Sequence, residues 1–372
     1  MAIGLRTAVC ERLGIELPIF GFSHVPAVAA AICEAGGFGV FGVAREDPEE
    51  IGERIAQLRD RVGNRPFGVD LMLPPGVPER ADPAEIDRRI PAPHREFVEA
   101  LRDKYAVPPA SKPTFFTRFV RSKELFARQV EAVLGSDANL VATAIGLPPE
   151  VIARCKRAGK TTLALIGSPR HARAALGAGA DVLVAQGYDA GGHTGTIGTM
   201  SLVPQIVDLA QPAGVPVLAA GGIATGRQIA ASLALGAQGA WMGTVWLGAV
   251  ENRTHPLVLK KLLAAGSEDT VITRAHSGKP CRVLRSAWSD EWQAAGAPEP
   301  LPMPYQQALT GELMAAVEEH GIEPLMYEPA GQSVRWVERA ETVAQIVDRL
   351  VNETRQALER VGSLRAPGTA PI

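Results

Sequence analysis

The chain has 372 residues, 46% of them hydrophobic and 21% charged, which is the composition of a globular protein with a large core. Its 38 Lys and Arg and 40 Asp and Glu give a net charge of −2, which excludes nucleic acid and membrane surfaces as primary partners. The four cysteines form no CxxC pair, and the first residues lack the layout of a secretion signal. We therefore expect buried thiols, no metal site and a cytoplasmic location.

Short apolar runs alternate with helix-length segments along the chain, a pattern typical of βα units on a buried parallel sheet. The apolar stretch 25–44 has about the length of a membrane span, but Glu34 interrupts it and "AGGFGVFG" breaks it. We therefore expect a packed helix followed by a strand there. Eight runs are candidate strands, the number that a TIM barrel requires. They span residues 18–22, 38–42, 67–73, 140–146, 162–167, 182–187, 216–222 and 239–244.

Two of the intervening helical segments share one design. Ser168 is a candidate N-cap with Pro169 at the first helical position, and Thr225 begins a second segment of the same kind. This repetition favours a repeated βα architecture over a doubly wound sheet with two domains. Segment 337–361 has helical periodicity and should pack on the outside of the barrel, whereas segment 365–372 should fray.

Two longer segments break the alternation. Residues 74–122, after the third strand, are rich in proline and charge and contain a predicted short helix at 94–105. A long insertion at this place is typical of a lid or binding loop. Residues 266–329, after the eighth strand, predict a small helical subdomain that covers the same rim. The barrel domain is then formed by residues 1–265 and 330–372.

The ends of the seventh and eighth strands are rich in glycine. In TIM barrels these two ends commonly build a phosphate site from backbone N–H groups, because glycine lets the backbone approach phosphate oxygens. Here the seventh strand ends in Gly221 and Gly222, and the eighth ends in Met242, Gly243 and Thr244. The pair of turns predicts a phosphate-binding site.

The stretch "AQGYDAGGHTG" at 185–195 follows the sixth strand, beside that phosphate site. Gln186 carries an amide that can donate and accept hydrogen bonds, as the edge of a heteroaromatic ring requires. Gly191 and Gly192 allow the backbone to approach a flat cofactor. His193 then lies on the rim, with a side chain suited to proton transfer near neutral pH. We interpret His193 as the candidate catalytic residue.

These motifs together resemble the nitronate monooxygenases, formerly called 2-nitropropane dioxygenases. The resemblance is carried by "PIFGF", "PAVAAAICEAGGFGVFG", "FGVDL", "GADVLVAQGYDAGGHTG" and "PVLAAGGIATGRQIAASLALGAQGAWMGT". It continues in "SGKPCR" and "AGQS" and covers most of the chain outside the insertion 74–122. It implies a TIM barrel that binds FMN noncovalently and oxidises nitronates or nitroalkanes with O₂ to a carbonyl compound and nitrite.

The resemblance also implies roles for particular residues. His193 matches the family's catalytic histidine, which removes the α-proton of a nitroalkane or holds the anionic nitronate. The FMN phosphate would lie on the glycine turns and the flavin ring along the end of the first strand. The residues concerned are Phe20, Gly21, Phe22, Gln186, Gly191, Gly192, Gly221, Gly222, Met242, Gly243 and Thr244. Asp70 in "GVDL" is a departure, since relatives often have Asn there, and an ionised carboxylate can only accept hydrogen bonds.

Several further side chains have two interpretations each. His24 and Tyr305 are candidate substrate contacts, or serve in capping and packing. Gln306 is also a candidate substrate contact. Lys279 and Arg282 are either anion contacts or packing groups. In the insertion, "FFTRFVRSK" is either a cationic lid for an anionic substrate or an amphipathic connector. The remaining histidines are placed on helices or outer loops without a role: His94, His171, His255, His276 and His320.

Two other functions compete with nitronate oxidation. The first is an FMN reductase on the same scaffold, which takes electrons from NAD(P)H to a quinone or an enoyl thioester. The second is a flavin or phosphate-ligand binding protein without turnover, or a dehydrogenase of the inosine-monophosphate type. Such a dehydrogenase needs a nucleophilic cysteine in a rim loop, where none of the four cysteines is expected. The oligomeric state is not predicted.

Overall fold

Eight parallel strands close into a barrel in the computed structural model, which describes residues 4–80, 82–113, 115–146 and 148–364. The strands are β1 (Ile19–Ser23), β2 (Phe38–Gly42), β3 (Gly68–Met72), β4 (Leu140–Ala144), β5 (Thr161–Ile166), β6 (Val182–Gln186), β8 (Val217–Ala220) and β9 (Gly239–Met242). All eight predicted strands are confirmed, and no end differs by more than two residues. Three further strands, β7 (Gly192–His193), β10 (Thr270–Thr273) and β11 (Cys281–Leu284), form a separate small sheet in the order β10-β11-β7.

Helices surround the barrel and cover its rim. The barrel and N-terminal helices are α1 (Ala8–Leu13), α2 (Pro26–Glu34), α3 (Pro48–Val62), α7 (Lys123–Leu134), α8 (Pro149–Arg157), α9 (Pro169–Gly177), α10 (Thr199–Ala210), α11 (Gly226–Ala234) and α15 (Val343–Gly362). The insertion contains α4 (Pro83–Arg88), α5 (Ala92–Lys104) and α6 (Phe115–Arg118). After β9 come α12 (Pro256–Ala264), α13 (Ala287–Glu291) and α14 (Tyr305–His320).

The strands read as continuous apolar runs because both faces of the sheet are buried. One cluster fills the barrel interior and includes Phe20, Phe38, Leu140 and Leu218. Alternate residues of the same strands point outward against the helices, as Leu183 does. A closed barrel of eight strands has an interior just wide enough for such side chains, so it is a packed core and the site must lie at its rim.

Local signals in the sequence begin the helices as expected. Ser168 accepts a hydrogen bond from the backbone of His171, and Thr225 forms a capping box with Gln228. α15 packs against α11 on the outside of the barrel. The stretch 25–44 forms α2 and β2, and within the described residues no helix has the length and apolar character needed to cross a membrane. The expectation of fraying at 365–372 lies outside the described residues.

The insertion and the segment after β9 share a hydrophobic core, which we call the rim core. It joins Val98 and Leu101 of α5 to Trp288 of α13 and to Leu313 of α14. Both segments leave the barrel after the carboxyl end of a strand, so the rim core covers the end of the barrel where TIM-barrel proteins usually bind their ligands. The strand β11 within it pairs antiparallel with β7, between β6 and β8.

The contact between β2 and α2 depends on a residue without a side chain. A Cβ at Gly39 would lie 1.9 Å from the carbonyl oxygen of Ala29, which is backbone and cannot yield. We expect Gly39→Ala to lower the free energy of unfolding by about 3 kcal/mol, as in overpacked cores. Gly52→Ala is the matched control, because a Cβ at this position in α3 meets no atom within 4 Å. It should leave stability unchanged or raise it by up to about 1 kcal/mol in urea unfolding. Equal effects of the two substitutions would contradict this packing.

Candidate active site

His193 is held in place from several sides. It lies in β7, opposite Cys281 of β11, and its carbonyl accepts a hydrogen bond of 2.9 Å from the Gln186 side-chain amide. Its Nε2 is 2.7 Å from the hydroxyl of Ser277, which is fully buried. The sequence placed His193 on a rim loop, whereas the structure places it in a strand. This arrangement leaves Nδ1 as the ring nitrogen that can meet a ligand.

Two more imidazoles and two guanidinium groups lie around His193. The His276 ring is 6.0 Å from that of His193, and Nε2 of His276 is 3.5 Å from Arg45. His24 follows β1, and its Nδ1 hydrogen-bonds to the carbonyl of Gly42 at 2.9 Å. Arg121 comes from the insertion, and its charge lowers the pKa of all three histidines. We call this group of five residues the rim cluster.

The sequence-based placement of His276 on a helix or outer loop is wrong. It lies in the turn between β10 and β11, where Nδ1 meets the hydroxyl of Tyr327 at 2.8 Å. His276 lies near His193 because β7 pairs with β11, and this pairing joins distant parts of the chain. Arg45 was also missed, because it looks like part of an ordinary charged loop after β2. Neither residue carries a local signal that could have assigned it.

The histidines of the rim cluster are neutral at physiological pH. Burial, followed by the charges of Arg121, Arg45 and Lys279, lowers the pKa of His193 to about 3. Burial and the charge of Arg45 lower the pKa of His24 to about 4. Burial also lowers the pKa of His276 well below its usual value. The positive charge of the cluster therefore resides on the two arginines.

The glycine turns at β8 and β9 offer free backbone donors. Within the described part of the chain, no hydrogen bond uses the N–H of Gly221, Gly222 or Gly243. A Cβ at Gly243 would meet no atom within 4 Å, so the space beside this N–H is open. The N–H groups of residues 224–226, which lead into α11, are already used, because Gln228 and Glu353 accept from them. The free backbone donors therefore lie at the turn glycines rather than at the start of α11.

The backbone of segment 330–331 packs tightly against these turns. Gly331 donates a 2.9 Å hydrogen bond to the hydroxyl of Thr244, and a Cβ at Gly191 would lie 2.6 Å from the Gly331 nitrogen. Glycine at position 191 therefore allows the backbone of Gly331 to come close. Gly192 differs from it, since a Cβ there meets no atom within 4 Å and its φ is +74°, in the left-handed region that favours glycine. The motif "AGQS" thus packs against the backbone of the connection after β6 and of the turn after β9 and holds both in place.

Of the residues at the ends of β1 and β9, some are buried in the core and one lies at the rim. Phe20 is fully buried in the barrel interior, and Met242 is buried among outward-facing residues. A Cβ at Gly21 would meet Ile32 and Trp246, so Gly21 makes room for packing outside the barrel. Phe20, Gly21 and Met242 can therefore offer a ligand only backbone atoms. Phe22 is half-buried at the rim, where its ring stands edge-on to that of His24 at 5.1 Å.

Asp70 lies inside the barrel near its carboxyl end. Its backbone pairs with Gly42 and Ala142, its side chain is 5% exposed, and its Oδ1 has no hydrogen-bond partner among the described residues. Burial raises the pKa of this carboxyl well above its ordinary value. Burial therefore favours the neutral acid form of Asp70, which can donate as well as accept hydrogen bonds.

Comparison with known proteins decides the family. The family model for nitronate monooxygenase matches residues 10–353. The chain belongs to the nitronate monooxygenase family. It is 40% identical over 375 residues to a putative monooxygenase of Mycobacterium tuberculosis, across 97% of this chain and 99% of that protein. The resemblance and the TIM barrel expected from the sequence are thus confirmed, and the chain is an oxidoreductase.

Solved structures agree with this assignment. Nitroalkane oxidase from Streptomyces ansochromogenes has a TM-score of 0.79 and 30% identity, with 95% of this chain and all of that chain covered. FabK from Thermotoga maritima has a TM-score of 0.74 and 29% identity, with coverage of 96% and 98%. This member of the nitronate monooxygenase family therefore shares its fold with proteins of more than one kind. Its activity has to be inferred from the residues of its site rather than from the fold.

The structure shows the protein contacts of four secondary candidates in this family member. Arg282 is buried, donates to the carbonyl of Tyr188 and stacks on its ring at 4.6 Å. Gln306 bridges Leu301 and Ala275, which braces the turn that carries His276. Tyr305 is 3.4 Å from the exposed Arg89 of the insertion. The charge of Lys279 contributes to lowering the pKa of His193, and its backbone N–H donates to the Ser277 hydroxyl at 3.4 Å.

The cysteines offer no reactive thiolate. Cys10, Cys33, Cys155 and Cys281 are all buried and free. Burial raises the pKa of Cys281, the cysteine opposite His193, to about 12. In the described residues no group of three or more His, Cys, Asp and Glu side chains could hold a metal ion. The chemistry of the site therefore falls to the rim cluster and to whatever the glycine turns bind.

The neutral state of Asp70 makes stability depend on pH. An acid with a raised pKa in the folded state stabilises the fold below its ordinary pKa of about 3.9, and this contribution is lost as the pH rises. Asp70→Asn should therefore raise the free energy of unfolding more at pH 8 than at pH 5. Urea unfolding of protein without added cofactor measures this difference, with Asp208→Asn on the exposed face of α10 as the control. A difference that does not change between pH 5 and 8 would contradict a neutral Asp70.

Proposed function

We propose that this protein uses FMN to oxidise nitronates, the anions of nitroalkanes, with O₂ to a carbonyl compound and nitrite. The observation that supports this most directly is the rim cluster, in which two arginines and three neutral histidines meet beside open glycine turns. A recess with fixed positive charge favours an anionic substrate over a neutral one of the same shape. The family assignment supports the reaction class.

The residues present fit FMN. Gly221, Gly222 and Gly243 would hold its phosphate through N–H groups that have no partner among the described residues, and the open space at Gly243 admits the group. Phe22, Gln186 and the neutral Asp70 would meet its ring, with both donors and acceptors available. When bound, FMN supplies the electron acceptor that amino-acid side chains lack.

His193 is a poor base in this setting but a good hydrogen-bond partner. Taking up a proton would place a third positive charge beside Arg121 and Arg45, which is why its pKa is low. We infer that the substrate enters as the preformed nitronate and that Nδ1 of His193 holds it. Ser277 fixes the ring through Nε2, and the rim core keeps bulk water from the recess.

Preformed nitronates should be far better substrates than neutral nitroalkanes. We expect kcat/KM for propyl-1-nitronate to exceed that for 1-nitropropane by about 100-fold or more, because the protein provides charge for the anion but a weak base. Oxygen uptake by the purified yellow protein measures both. Rapid anaerobic bleaching by NADH or NADPH, with slow oxygen uptake on nitronates, would instead show a reductase. A colourless protein that takes up no added FMN would overturn both functions.

Replacing His193 should affect both substrate forms alike. His193→Asn should lower kcat/KM by about 100-fold for nitronate and nitroalkane equally, because a holding group is lost and not a base. For the wild type, kcat/KM with the nitronate should be flat between pH 6 and 9, since His193 titrates far below this range. His171→Asn is the control, because His171 is an exposed residue of α9, and it should leave kcat/KM unchanged. A much larger loss for the nitroalkane, or a bell-shaped profile centred near pH 6.5, would argue for a basic His193.

A further inference from the structure

We propose that the hydroxyl of Tyr327 donates a hydrogen bond to the anion that binds beside His193. Arg45 is the positioning residue for this donor, and it acts through the imidazole of His276. The inference rests on the proposed function, in which the bound anion is the nitronate. It assigns a role to Tyr327, a residue that neither the sequence motifs nor the family resemblance singled out.

Tyr327 lies at the border between the rim core and the rim cluster. Its half-buried ring packs against the rim core and stands edge-on to His276, with the ring centroids 5.8 Å apart. The hydroxyl is 2.8 Å from Nδ1 of His276 and makes no other hydrogen bond among the described residues. Burial raises the pKa of Tyr327 above its ordinary value, so the hydroxyl keeps its proton at neutral pH.

Arg45 determines which ring nitrogen of His276 carries the proton. A guanidinium group has only donors, and Nη2 of Arg45 is 3.5 Å from Nε2 of His276. This nitrogen therefore presents its lone pair to the arginine. The imidazole is neutral, because burial and the charge of Arg45 lower the pKa of His276 well below its usual value. Its single ring proton is therefore on Nδ1.

The proton on Nδ1 of His276 sets the role of Tyr327. Because this N–H donates to the hydroxyl oxygen at 2.8 Å, Tyr327 is the acceptor in that hydrogen bond. The proton of the hydroxyl then points elsewhere and is free to meet a ligand. With the proton on Nε2 instead, Tyr327 would donate to Nδ1, and its hydroxyl proton would be used within the protein. The contact of Arg45 with His276 thus decides whether Tyr327 is a free donor.

The groups whose charges act on Tyr327 do not accept its proton. Glu328 follows it in the chain, but the two side chains form no hydrogen bond among the described contacts. Cys281 is the other neighbour, and burial raises the pKa of its thiol to about 12, so it stays a neutral and weak acceptor. The hydroxyl proton of Tyr327 is therefore available to a ligand.

His193 has the same polarity as His276. The backbone N–H of Lys279 donates to the Ser277 hydroxyl, which leaves that hydroxyl to donate to Nε2 of His193 at 2.7 Å. The neutral ring then carries its proton on Nδ1. His276 joins the two donors, since its ring is 6.0 Å from that of His193 and its Nδ1 contacts Tyr327. A nitronate has two nitro oxygens, so each donor can meet one of them.

Nitrogen NMR of the isotope-labelled protein with FMN bound tests the step through His276. The two ring nitrogens of a neutral imidazole differ in chemical shift according to which one carries the proton, and His276→Asn identifies the signals. We expect the Nδ1–H form in the wild type. Arg45→Lys should keep it, because an ammonium group also only donates, whereas Arg45→Met should change it to the Nε2–H form. An Nε2–H form in the wild type, or no change in Arg45→Met, would overturn the role of Arg45.

Nitrate binding tests the donor itself, because nitrate is an anion with the same kind of acceptor oxygens and is not oxidised. Calorimetric titration of the FMN-loaded protein at constant ionic strength measures its Kd. Tyr327→Phe should raise this Kd about tenfold, as the loss of one hydrogen bond to an anion does. Tyr105→Phe is the matched control, since it removes a rim-core hydroxyl that donates to Glu291, and it should leave the Kd unchanged.

A double-mutant cycle links the two residues. In the Arg45→Met background the hydroxyl of Tyr327 turns to His276, so adding Tyr327→Phe should change the Kd for nitrate less than about twofold. In the Arg45→Lys background the tenfold effect should persist. Equal effects of Tyr327→Phe in both backgrounds would contradict the link through His276. Nitrate that binds no more tightly to the wild type than to Tyr327→Phe would overturn the donor.

Neither binding measurement requires turnover, so the donor and the oxidation are tested separately. A protein that binds nitrate through Tyr327 but oxidises no nitronate would keep the donor and refute the proposed function. In the opposite case, the wild type oxidises propyl-1-nitronate, and Tyr327→Phe lowers kcat/KM less than about twofold. That result would overturn the donor and leave the proposed function standing.

Discussion

The antiparallel pairing of β7 with β11 is the interaction on which the candidate site depends. β7 has only two residues, yet its register sets Cys281 opposite His193. Because the turn before β11 carries His276 and Ser277, the same pairing brings both to His193. Arg282 strengthens it by donating to the backbone of the connection that contains β7. Without this pairing the barrel would offer its glycine turns, and the histidine would lie on an untethered loop.

The site contains buried polar groups that lower the stability of the fold unless a ligand satisfies them. Among the residues that the structure describes, a nitrogen of the buried Arg121 and an oxygen of the buried Asp70 have no hydrogen-bond partner. Each costs free energy that packing elsewhere must offset. Ligands that satisfy these groups bind the folded chain alone and therefore stabilise it. The free-energy cost of these buried groups and the affinity for a ligand that satisfies them thus have the same physical origin.

The barrel could be predicted from the sequence because its signals are local: apolar runs buried on both faces, and caps such as Ser168. The site could be predicted only where a motif marks it, as around His193. His276 and Arg45 have no such mark, since long-range pairing places them. A sequence also cannot show which task a glycine serves. Gly191 makes room for protein backbone, whereas Gly243 faces open space.

The two concentrations of positive potential are built in different ways. The glycine turns of β8 and β9 use backbone N–H groups, which persist under most substitutions because any residue other than proline carries one. The arginines lie on the loop after β2 and on the insertion, where side chains change readily without disturbing the barrel. The glycine turns are therefore tied to the scaffold, whereas the arginines of the rim segments are free to diverge. A shared barrel then accommodates different substrates by changes in the rim segments alone.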